Sequence, residues 1–210
     1  MQILDLEPFK QHPLTTEPFP YMVVKGIFQE QAIPGLTRDF PEITNAGLYP
    51  ADVLDMGDNM HQLIDELCSD EFRQVVEQKF GMDLKDRPPM VTLRKFARFK
   101  DGRIHADTDS KVVTILLYLN ETWPHTGGQL RFLRSPDDLE STIAEITPLA
   151  GTMAIFKVTP NGWHGHVKHV GERRVLMLNY MVNDELRQRE LKRHRFSAKV
   201  KDFKHKVGIG

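Results

Sequence analysis

Lys111 to Asn120 reads KVVTILLYLN, a run in which β-branched and aliphatic side chains fill both alternating sets of positions. A strand of that composition has no face to give to water, so it must lie in a sheet covered on both sides. Shorter candidates surround it. Met90 to Phe96 reads as a strand feeding the polar turn Lys100-Asp101-Gly102-Arg103. Gly127-Gly128 precedes a short strand near Gln129 to Leu133, and Pro148 precedes the run Gly151 to Phe156. Trp163-His164-Gly165-His166 and a last strand, Arg174 to Val182, follow. Short strands at close intervals, punctuated by Gly and Pro, indicate a mainly β sandwich or barrel over residues 90–182.

Residues 1–89 read as support for that barrel. Tyr21 to Lys25 has strand character, and a short helix is predicted around Gln29 to Asp39, with Pro34-Gly35 weakening its middle. Met60, Leu63, Ile64 and Leu67 recur at the spacing of an amphipathic helix. Ser69 caps a second one, with Asp70 and Glu71 in its first turn, Phe72, Val75, Val76 and Phe80 on its apolar side and Gly81 as its stop. These two helices are expected to pack against one sheet. Cys68 falls in the apolar helical pattern and is predicted to be a buried thiol.

With 210 residues, 40% hydrophobic and 27% charged, the chain is expected to be a single domain, mainly β with flanking helices. A net charge of −1 exerts no global pull toward nucleic acid or membrane. One cysteine excludes an internal disulfide and fits a reducing compartment. The first twenty residues carry acids and prolines where an export signal needs a basic and then an apolar stretch, and there is no long apolar run. A cytoplasmic location is the expectation. Residues 183–210 hold the strongest charge asymmetry: from Asp184 onward there are nine Lys or Arg against four Asp or Glu. A helix over Asp184 to Arg195 with a solvated basic face is the favoured reading, and contact with an acidic partner is the minority one.

His105-Ala106-Asp107 carries the chemistry. Residues two apart on an extended strand share a face, so an imidazole and a carboxylate at this spacing close on one ion. His164 can complete the set. Two His and one carboxylate on one side of a divalent ion leave the opposite positions open, as non-haem Fe(II) oxygenases require to admit a chelating co-substrate and dioxygen. His166 would share the side of His164 and is the competing ligand. His12, His61, His125 and His169 lack a partner pattern and are read as surface or structural residues.

Taken in order, His105-x-Asp107, Tyr118-Leu119-Asn120, Gly127-Gly128-x-Leu130, Gly151 to Phe156, His164 and Arg173 resemble the 2-oxoglutarate- and Fe(II)-dependent dioxygenases, particularly the prolyl-hydroxylase-like branch. The resemblance covers under half of the chain. It implies a double-stranded β-helix (a cupin-like jelly roll) with Fe(II) near its open mouth, 2-oxoglutarate as co-substrate and dioxygen as oxidant. In that frame His105, Asp107 and His164 hold the metal, and no catalytic group beyond these ligands is implied. Arg173, nine residues after His164, would grip the distal carboxylate of 2-oxoglutarate through two parallel hydrogen bonds. Arg174 competes for that role, because both faces of the last strand read as buried.

Tyr118 is a second candidate for the same carboxylate, with a plain core aromatic as its alternative, and Arg94 is a further one. The reaction implied is decarboxylation of 2-oxoglutarate to succinate coupled to hydroxylation of a second substrate. Relatives that halogenate lack the metal-binding carboxylate, so Asp107 argues for hydroxylation. Nucleic-acid demethylases of the superfamily carry a second arginine six residues after the first, where this chain has Asn179, which argues against that substrate. A small molecule or a peptide fits the remainder, with the Lys100 to Arg103 turn placed to touch it. Two other classes stay open: a cupin-like metal-binding protein without oxygenase activity, for which Arg173 would be structural, and a metal-dependent hydrolase with three ligands and a bound water.

Overall fold

The structure is a computed structural model that describes the backbone of residues 2–206 and the side chains of residues 2–197. In chain order its elements are α1 (Glu7–Gln11), β1 (Tyr21–Val24), α2 (Ile33–Asp39), β2 (Tyr49–Pro50), α3 (Asp58–Leu67), α4 (Asp70–Phe80) and β3 (Pro89–Ala97). Then follow β4 (Lys111–Tyr118), β5 (Leu130–Leu133), β6 (Thr142–Ile146), β7 (Met153–Lys157), β8 (His164–His166), β9 (Gly171–Met181) and α5 (Asp184–Lys206). The six strands β1-β7-β4-β9-β3-β2 form one antiparallel sheet and β6-β5-β8 a second, smaller one.

The Lys111 run becomes β4, third from one edge of the large sheet and covered on both sides. Its alternate residues divide two apolar layers. Val113, Ile115 and Leu117 join Leu176, Leu178 and Tyr180 of β9 in a core that also holds Met60, Leu63, Leu67, Phe72, Val75 and Val76 of the two helices. Leu116 and Tyr118 turn inward toward the second sheet, where Phe132, Phe156, Phe19 and Tyr21 pack edge to face. The expectation of a two-faced buried strand with helices on one side therefore holds.

Local signals account for the helices. Ser69 Oγ accepts the Phe72 N–H at 3.2 Å, and Gly81 ends α4 with φ +59°, a left-handed conformation without a Cβ penalty. Pro34 does not break the second predicted helix. The chain makes a single 3-10 turn at Glu30–Ala32, and the α-helix begins at Ile33, which places Pro34 in the first turn, where its missing N–H has no partner to lose. Cys68 corrects the burial expectation: it stands at the end of α3 and is exposed. Three elements had no forecast, α1 and the edge strands β2 and β6. The N-terminal segment is held by Glu66, whose carboxylate accepts the N–H groups of Ile3 and Leu4.

Residues 184–195 are helical as expected, and the helix continues to Lys206. Asn183 caps it through the Leu186 N–H, Leu191 is buried with Met90 and Met181, and Arg195 pairs with Asp52. The helix thus lies beside β2, β3 and β9. The charged side chains from Lys199 onward lie outside the described residues, as does whatever partner the basic tail would take.

Candidate active site

The site forms where the short sheet closes over the inner face of the large one. His105 N–H donates to the His164 carbonyl at 3.0 Å and His164 N–H to the His105 carbonyl at 2.9 Å, a reciprocal pair that sets the two rings side by side with centroids 4.2 Å apart. His105 makes this single bridge within an otherwise irregular extended segment, in place of the regular strand that the spacing suggests. The close approach needs glycine. Gly102 has φ +87°, its carbonyl accepts the His166 N–H at 3.0 Å, and a Cβ there would lie 2.5 Å from His166 Nδ1.

The donor atoms of His105, Asp107 and His164 all lie within 4.8 Å of one another, and no fourth His, Cys, Asp or Glu joins them among the described residues. Each imidazole is oriented from behind: His105 Nδ1 contacts the Arg103 carbonyl and His164 Nδ1 the Gly162 carbonyl, both at 2.9 Å. A carbonyl only accepts, so Nδ1 carries a proton in both rings and Nε2 is the nitrogen turned to the site. Burial and the neighbouring His105 lower the His164 pKa to about 4, so its imidazole is neutral at physiological pH.

Asp107 is set by Lys111, 3.0 Å from Oδ1, and by the Thr114 hydroxyl at Oδ2. Burial alone would raise its pKa, but Lys111, His164 and Thr114 more than offset that, and the carboxyl lies below its ordinary value. Thr114 also lies 2.9 Å from the Asn179 side chain. The Asn179 atom is Oδ1, an acceptor like Asp107 Oδ2, so the one Thr114 O–H is shared between the two oxygens. Two imidazoles oriented through Nδ1 and one oriented carboxylate, with no further His, Cys, Asp or Glu among the described residues, are a set suited to Fe(II).

Four residues along β4 from Thr114, about 13 Å at strand rise, Tyr118 and Arg173 form the other end of the same cavity, which has an empty volume of about 760 Å³. Strand alternation resolves the two adjacent arginines. Arg173 points inward with Val175 and Met177 and is 5% exposed; it donates to the Gly128 carbonyl at 2.8 Å and to the Tyr118 hydroxyl at 3.2 Å. Arg174 points out, pairs with Glu172 and lies over the Phe40 ring. Among the described residues Arg173 has no carboxylate partner.

Arg94, on the neighbouring inner row, lines the same cavity. Its Nη1 is 3.5 Å from Asp101, and its buried Nε has no partner among the described residues. Burial lowers the Arg94 pKa, with Asp101 opposing and Arg173 and Arg98 reinforcing the shift. Two desolvated guanidiniums in one chamber create strong demand for an anion. Burial raises the Tyr118 pKa against the influence of Arg173, so its hydroxyl stays protonated. His166 lies outside the metal cluster but on the wall of the Arg173 cavity, where burial and Arg173 lower its pKa to about 4.

Residues 94–181 match the family model of the 2OG-Fe(II) oxygenase superfamily. This segment is a 2OG-Fe(II) oxygenase fold. The strand set that carries the triad and both arginines falls within it. No curated protein matches the chain by sequence. Among solved structures, the fold is similar to a Pseudomonas putida prolyl-4-hydroxylase (20% identity, TM-score 0.56, covering 84% of this chain and 96% of that one). It is also similar to a viral collagen prolyl hydroxylase from Paramecium Bursaria Chlorella virus-1 solved as a 2OG complex (14% identity, TM-score 0.54, 76% and 93%). A third similar structure is an oxidoreductase of the 2OG-Fe(II) oxygenase family from Burkholderia pseudomallei (12% identity, TM-score 0.53, 77% and 84%). At these identities the likeness concerns the fold, and it supports the double-stranded β-helix.

Sequence reasoning did not find Lys111, Thr114 or Asn179 as site residues; inward parity on β4 and β9 was available as a signal for Thr114 and Asn179, whereas Lys111 lies beyond a register shift at the start of β4 that parity does not reveal. Nor did it find Glu190 and His194, which reach the metal side of the site from α5. Only the docking of that helix reveals them.

Proposed function

We propose that the chain is a 2-oxoglutarate- and Fe(II)-dependent oxygenase that hydroxylates a second substrate, with His105, Asp107 and His164 as the iron ligands. Arg173 would take the distal carboxylate of 2-oxoglutarate, with Tyr118 donating to it and Arg94 adding charge. The observation that carries this reading is Arg173, a buried cation without a carboxylate partner among the described residues, in the cavity that also holds the triad. A cupin-like binding protein or a hydrolase gives such a cation no task. Iron with 2-oxoglutarate and dioxygen supplies, when bound, the oxidant for an unactivated C–H bond.

The chain's own contribution is placement. Its Nδ1 hydrogen bonds hold the two imidazoles with Nε2 presented, the Thr114 hydroxyl touches the Asp107 carboxylate, and Leu116, Leu130, Val175 and Met177 give the cavity an apolar wall. For the substrate we favour a small molecule or a peptide side chain, met at the loop of residues 99–104 where a second groove adjoins the cavity at Gly102 and His166. We place the protein in the cytoplasm. No helix among the described residues is long and apolar enough to cross a membrane.

Anaerobic titration of the Fe(II)-loaded protein with 2-oxoglutarate tests the reading. A weak visible metal-to-ligand charge-transfer band should grow and saturate, and its absence would count against a 2-oxoglutarate enzyme. In Asp107→Ala, iron content after desalting should fall to background; wild-type iron content would remove Asp107 from the ligand set.

A further inference from the structure

Lys111 stands in the wall between two cavities. One is the Arg173 chamber; the other, on the far side of the triad, is lined by Met90, Thr92, Met177 and Asn179 together with Glu190 and His194 of α5. The lysine side chain is 14% exposed, and its ammonium bonds Asp107 Oδ1 at 3.0 Å. That couple is balanced while Asp107 keeps its whole charge. A divalent ion held by the triad claims the same carboxylate, and an ammonium a few ångströms from a doubly charged ion is repelled. Once parted from Oδ1, a largely buried ammonium is costly without a new counter-charge.

The neighbouring carboxylates are already engaged. Glu190 pairs with Arg193, and Asp101 is shared by Arg94 and Arg98. Met90, Thr92 and Met177 offer no charge. Resting on the oxygenase reading, we propose that Lys111 is an anion-binding residue released by metal loading. It leaves Asp107 when the ion binds and presents its ammonium to the chamber under α5, where it takes a carboxylate or phosphate oxygen of the substrate. The substrate then carries an anionic group close to the carbon that is oxidised.

Pulse acetylation with acetic anhydride, read at Lys111 by peptide mass spectrometry, tests this on the metal-free protein and on the protein loaded with redox-inert Zn(II) and 2-oxoglutarate. Labelling of Lys111 should rise several-fold on loading relative to the exposed Lys85, and acetate or methyl phosphate should bring it back down. Protection by acetate alone assigns a carboxylate, and protection by methyl phosphate alone assigns a phosphoryl group. Unchanged labelling on loading, or no protection by either anion, overturns the proposal. In a second arm, Lys111→Met should bind Mn(II) roughly tenfold tighter in an EPR titration, since a repelled charge is gone; equal or weaker binding also overturns it. A protein that takes up neither Zn(II) nor Mn(II) sinks the oxygenase reading itself, a result distinct from metal uptake with an unmoved Lys111.

Discussion

Arg173 and Arg174 are neighbours in the chain with opposite environments. The inner one is desolvated and bonded to Tyr118, while the outer one pairs with Glu172 at the surface. Arg173→Ala should therefore raise the 2-oxoglutarate concentration for half-maximal succinate formation by roughly one to two orders of magnitude, the scale of a lost charge-assisted clamp. Arg174→Ala should leave it within about twofold, as exposed ion pairs contribute little. Equal effects would show that the inward guanidinium is not the carboxylate site. Sequence alone could not separate the two, because β9 is buried on both faces: Leu176, Leu178 and Tyr180 face the helices, and Val175 and Met177 face the site. Of His164 and His166, which share a face, the reciprocal bridge brings His164 beside His105 and Asp107.

Among the elements, α4 shows how far local chemistry reaches. Its cap and its stop, Ser69 and Gly81, are adjacent in sequence to the turns they complete and were legible. The N-terminus of α3 is capped from twenty residues away. Asp39, at the end of α2, accepts the Asn59 N–H at 2.9 Å, beside Gly57, where a Cβ would lie 2.4 Å from the Asp39 carboxyl carbon. Hydrogen bonds from Arg38 and Asn59 lower the Asp39 pKa to about 2. A depressed carboxyl pKa contributes stability that is present above the unfolded value near 4 and lost as pH falls through 2. Asp39→Ala should lower the melting temperature by roughly 2–4 °C at neutral pH and flatten the stability curve between pH 4 and 2. An unchanged melting temperature would show that α3 needs no cap from α2. The unforecast strand β6 has a physical reason as well: it is an edge strand, half-exposed along most of its length, so it lacks the apolar alternation by which strands are recognised.

At the scale of the whole molecule, the two sheets are held together by an aromatic cluster that also backs His164 of the candidate metal site. Phe156 packs on the His164 ring at 4.9 Å and on Phe132 at 5.4 Å. Phe132, fully buried at the centre of the short sheet, bridges Phe19, Tyr21 and Phe156. Phe132→Ala should destabilise the fold by about 3–5 kcal/mol and weaken iron retention, because β5 carries β8 and with it His164. Chemical denaturation and iron analysis on one preparation check both effects, and a loss below about 1 kcal/mol would mean that the sheets do not depend on this ring.

The sequence by itself determined that a doubly covered sheet must exist, where most strands and both ends of α4 lie, and that His105, Asp107, His164 and an arginine after them form a candidate metal and anion site. Those properties depend on composition, alternation and short spacings, which the linear chain records directly. Only the tertiary structure decided which arginine turns inward and which histidine meets His105, that Lys111 and Thr114 grip the Asp107 carboxylate, and that α5 walls the chamber beyond it. These depend on which face of an equally apolar strand meets which layer, and on contacts between residues up to 143 positions apart, for which the sequence pattern has no local record.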